Sequence, residues 1–159
     1  MTSPHPPVPR NPPLGFTLVE IMVVVVIVGI LAAMAIPTIV RIKRSAQNAR
    51  FASDLRTFAQ AFETFAMRNG TWPPNAGNGI VPTGMSGELR DANWMAVNSL
   101  GGRWNWDNNF NGVAAGISTV IPNADDAQMA EIDAKIDDGD LAAGNFVKIN
   151  GRYTYILQK

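Results

Sequence analysis

The chain has 159 residues, of which 13 are basic and 13 acidic, so its formal net charge is zero. This balance argues against a nucleic-acid-binding protein, and the length suits one domain plus an anchor. The sequence contains no cysteine, which excludes disulfides, thiol catalysis and thiolate zinc sites.

The first 15 residues are rich in proline. They hold six of the eleven prolines in the chain, Pro4, Pro6, Pro7, Pro9, Pro12 and Pro13. A segment of this composition cannot form a helix, and we expect it to be disordered and cytoplasmic. It is not a typical secretory signal, because the apolar run that follows is too long and no small-residue cleavage site follows a short apolar region.

A long apolar run follows this segment. From Phe16 to Val40 there are 25 residues, and Glu20 is the single ionisable side chain among them. About 20 apolar residues are enough to cross a bilayer as a helix. A carboxylate within such a helix costs on the order of 3 kcal/mol, which points to a function and a partner for Glu20. The partner is either the α-amino group of Phe16, if the chain is cut after Gly15, or a group on another chain.

The segment G-F-T-L-V-E followed by a long apolar helix resembles the amino terminus of type IV prepilins and type II secretion pseudopilins. The resemblance implies cleavage between Gly15 and Phe16 by a membrane prepilin peptidase, followed by N-methylation of Phe16. It implies that Glu20 sets the register between assembling subunits. Pro37 matches a proline that the family carries within this helix, where we expect a kink.

The resemblance also implies partners and a location. The expected partners are copies of the chain, related pilin-like subunits, the peptidase, an inner-membrane assembly platform and the membrane itself, but not nucleic acid. The expected topology is a single pass through the inner membrane with the leader cytoplasmic and the head periplasmic, before assembly into a periplasmic or extracellular filament. The positive-inside rule favours the opposite orientation, because Arg41, Lys43 and Arg44 follow the apolar run.

After residue 40 the hydrophobic pattern becomes amphipathic. Apolar residues recur at spacings of three and four, namely Phe51, Leu55, Phe58, Ala59, Phe62, Phe65 and Ala66. This spacing predicts a helix with one face on a core. Asn69-Gly70 predicts its end. The domains expected are therefore a leader (1–15), a membrane or filament-core helix (16–40), an amphipathic helix (41–69) and a globular head (70–159).

The head is predicted to contain two hairpins and two short helices. Residues 70–100 are predicted to form a long irregular connection with a short helix near 91–99. We expect a hairpin with a long tip over 103–121 and a helix over 123–135. A second hairpin turns at Asn150-Gly151. The predicted fold is α+β, a long helix packed on an antiparallel sheet of about four strands.

Charges are distributed unevenly along the chain. Residues 41–68 carry six arginines or lysines against two acids, whereas residues 107–140 carry eight acids against Lys135. A basic stem and an acidic head could attract each other between neighbouring copies. Alternatively, the basic residues merely flank a membrane span and contact anionic lipid.

Two segments have the composition of a calcium site. Asp107, Asn109 and Asn111, followed by Gly112, match the first half of a calcium loop, although Ser118 stands where a bidentate glutamate is expected. A polar hairpin tip explains the same residues. The segment Asp137-Asp138-Gly139-Asp140 is more simply a helix stop and turn. No other cofactor is expected.

The sequence therefore predicts a structural subunit of a type IV pilus-like filament, with the missing disulfide and partial calcium loop favouring a secretion pseudopilin. The alternative is a membrane-anchored binding module for sugar, DNA or protein that does not polymerise. Trp104 and Trp106 lie on one face of the first strand, where they form either a stacking platform for such a ligand or part of the core. No enzymatic activity is expected, because the one histidine, His5, lies in the leader.

Overall fold

The computed structural model describes residues 15–159, so the prediction of a disordered leader lies outside the described residues except for Gly15. In chain order the elements are α1 (Leu18–Asn69), α2 (Asp91–Met95), β1 (Arg103–Phe110), β2 (Val113–Val120), α3 (Asp126–Ile136), β3 (Phe146–Ile149) and β4 (Arg152–Gln158). The strands form one sheet in the order β1-β2-β4-β3, and every neighbouring pair is antiparallel. This confirms the predicted α+β fold. The chain divides into two compact units, Met1–Arg41 and Ile42–Lys159.

Helix α1 ends where the sequence predicts. Gly70 adopts a φ of 69°, and its N–H donates a 2.8 Å hydrogen bond to the carbonyl of Ala66. A glycine reaches this left-handed conformation without the cost that a Cβ imposes. The predicted apolar stripe faces the core. Its members Phe51, Leu55, Phe58, Ala59 and Phe62 are buried, and its last two members, Phe65 and Ala66, are half-buried.

Two asparagine-glycine turns connect the hairpins. Asn150 and Gly151 have φ angles of 49° and 78°, which confirms the predicted tight turn between β3 and β4. The first hairpin differs from the prediction of a long tip. Asn111 and Gly112, with φ angles of 56° and 85°, form a two-residue turn, and Phe110 pairs directly with Val113. Asn108, Asn109 and Phe110, which were expected in the tip, instead extend β1, whereas β2 begins at Val113 as predicted.

The two short helices are shifted from their predicted bounds. Helix α3 begins at Asp126 rather than 123, because Asp125 is its N-cap and accepts a 2.8 Å hydrogen bond from the N–H of Gln128. Helix α2 ends at Met95 rather than near 99, because the following residue is extended and Val97 pairs with Arg103 of β1.

The core forms between the second half of α1 and one face of the sheet. Trp104 and Trp106 of β1 point toward α1 and are almost completely buried, which supports the core interpretation over a ligand platform. The connection before β1 completes this core, since the Trp106 indole N–H donates to the Pro73 carbonyl at 2.9 Å and that of Trp94 donates to Ile80 at 2.8 Å. The indole N–H groups need acceptors in this core, and the carbonyl groups of the long connection supply them.

Candidate functional site

The described chain begins with three residues that precede α1. Phe16 is exposed, and the helix starts two residues later. A Cβ built on Gly15 would meet no described atom within 4 Å. Packing against the described part of the chain therefore does not itself require a glycine at position 15.

Glu20 closes a reciprocal cap on the first turn of α1. Its Oε2 accepts hydrogen bonds from the N–H and the Oγ1 of Thr17, each at 3.1 Å, and its own N–H donates to Thr17 Oγ1 at 3.2 Å. This is the capping box that T-x-x-E spacing encodes. Sequence analysis missed the role of Thr17, although that spacing is visible in the sequence. The cap satisfies amide groups that a helix start otherwise leaves without partners.

The first half of α1 is apolar on all sides and fully exposed. Every residue from 18 to 42 is exposed, including a row of apolar side chains on one helix face, Val19, Met22, Val23, Val26 and Ile27. Among the described residues, α1 is the one helix whose length and composition suffice for a membrane span. Helix α1 continues through Pro37, and Thr38 Oγ1 donates to the Met34 carbonyl at 3.4 Å. The predicted kink stays a prediction.

The side chains of the candidate calcium loop have separate partners. Asp107 is completely buried, accepts a 2.6 Å hydrogen bond from Ser118 Oγ and lies 3.6 Å from the Arg152 guanidinium. The side-chain amide of Asn109 donates a hydrogen bond to the side-chain oxygen of Asn108. The side-chain oxygen of Asn111 accepts one from the side-chain amide of Asn150, which connects the two turns. The structure thus places Asp107 and Asn109 in β1 and Asn111 in the turn that follows it. Calcium binding by these residues stays a prediction.

Arg44 and the neighbouring Asn48 of α1 form contacts with α3 inside the second compact unit. Arg44 lies 3.0 Å from the Glu131 carboxylate of α3. Asn48, which is buried, donates to Glu131 at 3.0 Å and accepts from Gln128 at 2.8 Å. These contacts fix α3 against the lower part of the amphipathic helix. Sequence analysis weighed only contacts with neighbouring copies or lipid, because the fold that brings residue 44 beside residue 131 is not visible in the composition.

The chain has a pilin-like fold. An exposed apolar half-helix with a single carboxylate continues into a second half that packs on a four-stranded antiparallel sheet. Comparison with known proteins gives the same class. Residues 11–36 match the family described as the prokaryotic N-terminal methylation motif.

Similar curated proteins include type II secretion system core protein G of three bacteria. The Klebsiella pneumoniae protein is 39% identical over 59 residues, covering 37% of this chain and 42% of that protein. The Pseudomonas aeruginosa protein is 39% identical over 64 residues, 40% and 45% of the two chains. The Escherichia coli protein is 37% identical over 59 residues, 37% and 41% of the two chains.

The chain thus spans about two fifths of the length of the curated relatives that it matches. No solved structure matches it significantly. The methylation motif and these relatives together support the type IV pilin and type II secretion pseudopilin family, as the resemblance of G-F-T-L-V-E implies.

Proposed function

We propose that this chain is a pseudopilin of a bacterial type II secretion system, a structural subunit that assembles through the first half of α1. The observation that carries the proposal is the exposed apolar half-helix with one carboxylate, Glu20, inside the matched methylation motif. An apolar surface of this extent is unfavourable in water. Lipid covers it in the precursor, and the equivalent helices of neighbouring subunits cover it in the filament.

The same proposal gives the chain its location and partners. The helix anchors the precursor in the inner membrane, with the leader cytoplasmic and the head periplasmic. A prepilin peptidase removes residues 1–15 and methylates Phe16, and an assembly platform transfers the subunit into a filament with copies and related subunits. A glycine at position 15 that the described chain does not need is explained by a peptidase that must approach the backbone closely. As a structural subunit, the protein is expected to have no catalytic activity.

The charge of Glu20 favours movement of the subunit from lipid into the filament. In the precursor its carboxylate has Thr17 as a hydrogen-bond partner but no cation among the described contacts. A charge in this position costs on the order of 3 kcal/mol in lipid. The ammonium group of Phe16 on a neighbouring mature subunit would neutralise it, so docking at the correct register is favoured over continued residence in lipid.

The test separates the charge of Glu20 from its capping role. Glu20→Gln keeps an amide that can complete the capping box but removes the charge. We expect this variant to be cleaved normally and to assemble about a hundredfold less, the equivalent of about 3 kcal/mol. Intact mass reports cleavage and methylation, and pelleting or electron microscopy of filaments reports assembly.

Thr17→Ala is the matched control, because it removes the cap and keeps the charge. It should be cleaved and should assemble. Normal filaments from Glu20→Gln would refute the charge pairing, and an equal loss in Thr17→Ala would assign the effect to capping. In the same cells, Gly15→Leu should leave the precursor uncut, with an unshifted mass.

The alternative of a binding module that does not polymerise gains no support from the head. Its proposed ligand platform, Trp104 and Trp106, is buried beneath α1 and is closed to a ligand.

A further inference from the structure

Ile121, which follows the last residue of β2, has a backbone conformation that isoleucine rarely adopts. Its φ is 52°, whereas the other described non-glycine residues with a positive φ are asparagines, which tolerate this region. A β-branched side chain makes the left-handed conformation unfavourable, and Pro122 narrows the choice of conformations further. The turn is fixed on both sides. Val120 pairs with Arg103, and the Asn123 N–H donates a 2.8 Å hydrogen bond to a carbonyl in the connection before β1.

Burial of the Ile121 side chain does not offset this cost, because the side chain is 81% exposed. It lines a groove together with the exposed Val97, the half-buried Val120 and Arg103. Val97 and Val120 both pair with Arg103, one on each side, so these three side chains lie on the same face of the sheet. We call Val97, Val120, Ile121 and Arg103 the Ile121 patch. An apolar surface that is exposed at the cost of an unfavourable backbone points to another surface that covers it.

The Ile121 patch lies at the end of the second compact unit at which α1 enters from the apolar run. Ser99, between Val97 and β1, donates a 2.9 Å hydrogen bond to the Gln47 carbonyl. Asn123, two residues after Ile121, lines a groove together with Gln47 and Ser99. Gln47 is seven residues beyond Val40, the end of the apolar run, which is about 10 Å along a helix.

The charges around the Ile121 patch are mainly positive. Lys43 lies one helical turn before Gln47 on the same face of α1 and is exposed. Neither Lys43 nor Arg103 forms an ion pair among the described residues. The one acid of the adjoining loop, Asp125, lies 3.7 Å from the Arg44 guanidinium. The charges left without a partner on this side of the head are therefore those of Lys43 and Arg103.

We propose that the Ile121 patch contacts the surface of an anionic bilayer while the subunit is still anchored in the membrane. Ile121 then lies at the boundary between headgroups and acyl chains, and Arg103 and Lys43 lie near lipid phosphates. This inference rests on the proposed function, because it takes the first half of α1 to be the membrane span. Apolar side chains bordered by lysine and arginine bind the interface of anionic membranes. The unpaired positive charges and the short distance from the apolar run favour lipid over a second copy of the chain as the covering surface.

The length of the apolar run brings this end of the head closer to lipid. The run has 25 residues, or about 37 Å of helix, whereas the hydrocarbon layer is about 30 Å thick. A span that is too long tilts, and a tilted α1 lowers one side of the residues that follow it. Because the headgroup layer adds about 5–8 Å on each side of the hydrocarbon, groups near Gln47 reach it on the lowered side.

The experiment locates single fluorescent labels on the full chain in nanodiscs, which is possible because the chain has no cysteine. The variants Ile121→Cys, Met67→Cys and Val26→Cys each carry an NBD label. Discs of phosphatidylglycerol or phosphatidylcholine contain a lipid that is spin-labelled on its acyl chain and quenches nearby labels. In phosphatidylglycerol, we expect quenching at position 121 to exceed that at the exposed position 67, near the far end of α1, by at least about twofold. It should fall in phosphatidylcholine, whereas position 26 should be quenched in both lipids.

A second set of variants tests the side chains of the patch, with the label on Val97→Cys. Ile121→Asn should lower quenching in phosphatidylglycerol by at least about twofold, because an amide gains less from leaving water than an isoleucine side chain does. Ile80→Asn is the matched control, because it makes the same change at an exposed position outside the patch. Replacing Arg103 and Lys43 together by glutamine should abolish the preference for phosphatidylglycerol, whereas Arg90→Gln, at an exposed residue outside the patch, should not.

The stability of the same variants separates a membrane contact from a purely structural role of Ile121. In detergent, Ile121→Asn should raise Tm by about 2–6 °C, because asparagine adopts the left-handed conformation more readily. Ile80→Asn should not raise Tm, since Ile80 has no positive φ. A residue kept only for the fold would not lower stability while it promotes lipid contact.

Three results would overturn the proposal. One is quenching at position 121 no stronger than at position 67 while position 26 is quenched, which would leave the membrane anchor intact. Another is a label at position 121 that becomes protected only when filaments assemble, which would assign the patch to a second copy. The third is a fall in Tm for Ile121→Asn, which would show that the side chain stabilises the turn. If position 26 is not quenched either, the membrane span itself fails, and the proposed function fails with it.

Discussion

At the scale of single residues, the head uses its carboxylates in contrasting environments. Asp107 is buried on the face of the sheet opposite Trp104, where Ser118 and Asn105 donate to it and Arg152 balances its charge. Asp126, in the first turn of α3, is exposed and connects that helix to the sheet. Lys148 donates to its two oxygens at 2.6 and 2.8 Å, and the Tyr153 hydroxyl also donates to it. The contribution of the exposed Asp126 to stability can be followed by changing the pH.

The Asp126 contact predicts a loss of stability in acid. The hydrogen bonds from Lys148 and Tyr153 lower the pKa of Asp126 below its ordinary value. The ionised form is therefore favoured by folding, and its contribution is fully present above the unfolded pKa of about 3.9. It is lost as the pH falls through the lower pKa of the folded state. We expect Asp126→Asn to lower Tm at pH 7 and to have little effect near pH 2, measured by thermal unfolding across this range.

A double-mutant cycle with Lys148→Met supplies the control for that prediction. If the effect of Asp126→Asn comes from this pair, it should shrink when Lys148 is already replaced. A Tm difference that persists unchanged at pH 2, or in the Lys148→Met background, would show that the carboxylate acts through something other than its charge.

At the scale of elements, α1 and β1 are joined by aromatic rings. Phe62 stacks on Trp106 with ring centroids 3.8 Å apart and an interplanar angle of 8°. Phe51 stacks on Trp104 at 4.7 Å, and Phe58 meets Trp104 edge-on at 5.3 Å. Helical spacing on α1 and alternate spacing on β1 bring these rings together, so each element presents its aromatic face to the other.

Replacing Phe62 should be among the most destabilising changes in the head. Its side chain is completely buried between Trp106 and Trp94. Phe62→Ala removes this packing and leaves a cavity, which typically costs about 3–5 kcal/mol. Urea unfolding followed by tryptophan fluorescence measures the change. Met67→Ala, on an exposed position of the same helix, should change stability by less than about 0.5 kcal/mol. Similar losses from both variants would contradict the assignment of Phe62 to the core.

The elements that the sequence predicts well are those whose signals are local. The stripe from Phe51 to Phe62 and the Asn150-Gly151 turn depend on spacing and backbone preference, and both are present as expected. The first hairpin was predicted with too long a tip, because the run of asparagines resembles a loop. In the structure Asn108 and Phe110 of that run instead continue β1, where they pair with Ala115 and Val113 of β2.

The convergence of side chains from distant positions was not predictable in this way. Nothing in the composition shows that Asn48 donates a hydrogen bond to Glu131 and accepts one from Gln128, since those contacts exist only once α3 packs on α1. The acids near residue 137 were visible in the sequence, but Asp133, which is completely buried, was not singled out. Its i, i+4 relation to Asp137 is visible in the sequence, whereas its burial follows from packing.

At the scale of the whole molecule, the two compact units of the chain differ in how their side chains are buried. In the first unit, every described residue is exposed, and most of the exposed large apolar side chains of the chain lie there or at Ile42. In the second unit, Ile42–Lys159, the buried residues begin at Asn48 and include all the core aromatics. The second unit thus contains a complete core by itself, whereas the described part of the first unit has no buried residue; under the proposed function, lipid or other helices cover it.

This division predicts which fragment of the chain is soluble and folded. A fragment of residues 42–159 should be soluble without detergent and should melt within about 5 °C of the full chain, because it retains every buried residue of the head. A fragment of residues 57–159 is the matched comparison. It lacks Asn48, Phe51 and Leu55, and the loss of two large buried side chains, at about 2–5 kcal/mol each, exceeds much of the stability of a small domain. We expect it to be unfolded by circular dichroism.

Folding of the shorter fragment would show that the lower part of the amphipathic helix is not part of the core. Aggregation of the longer one would show that the head needs the first unit, and the assignment of separate environments to the two units would then fail.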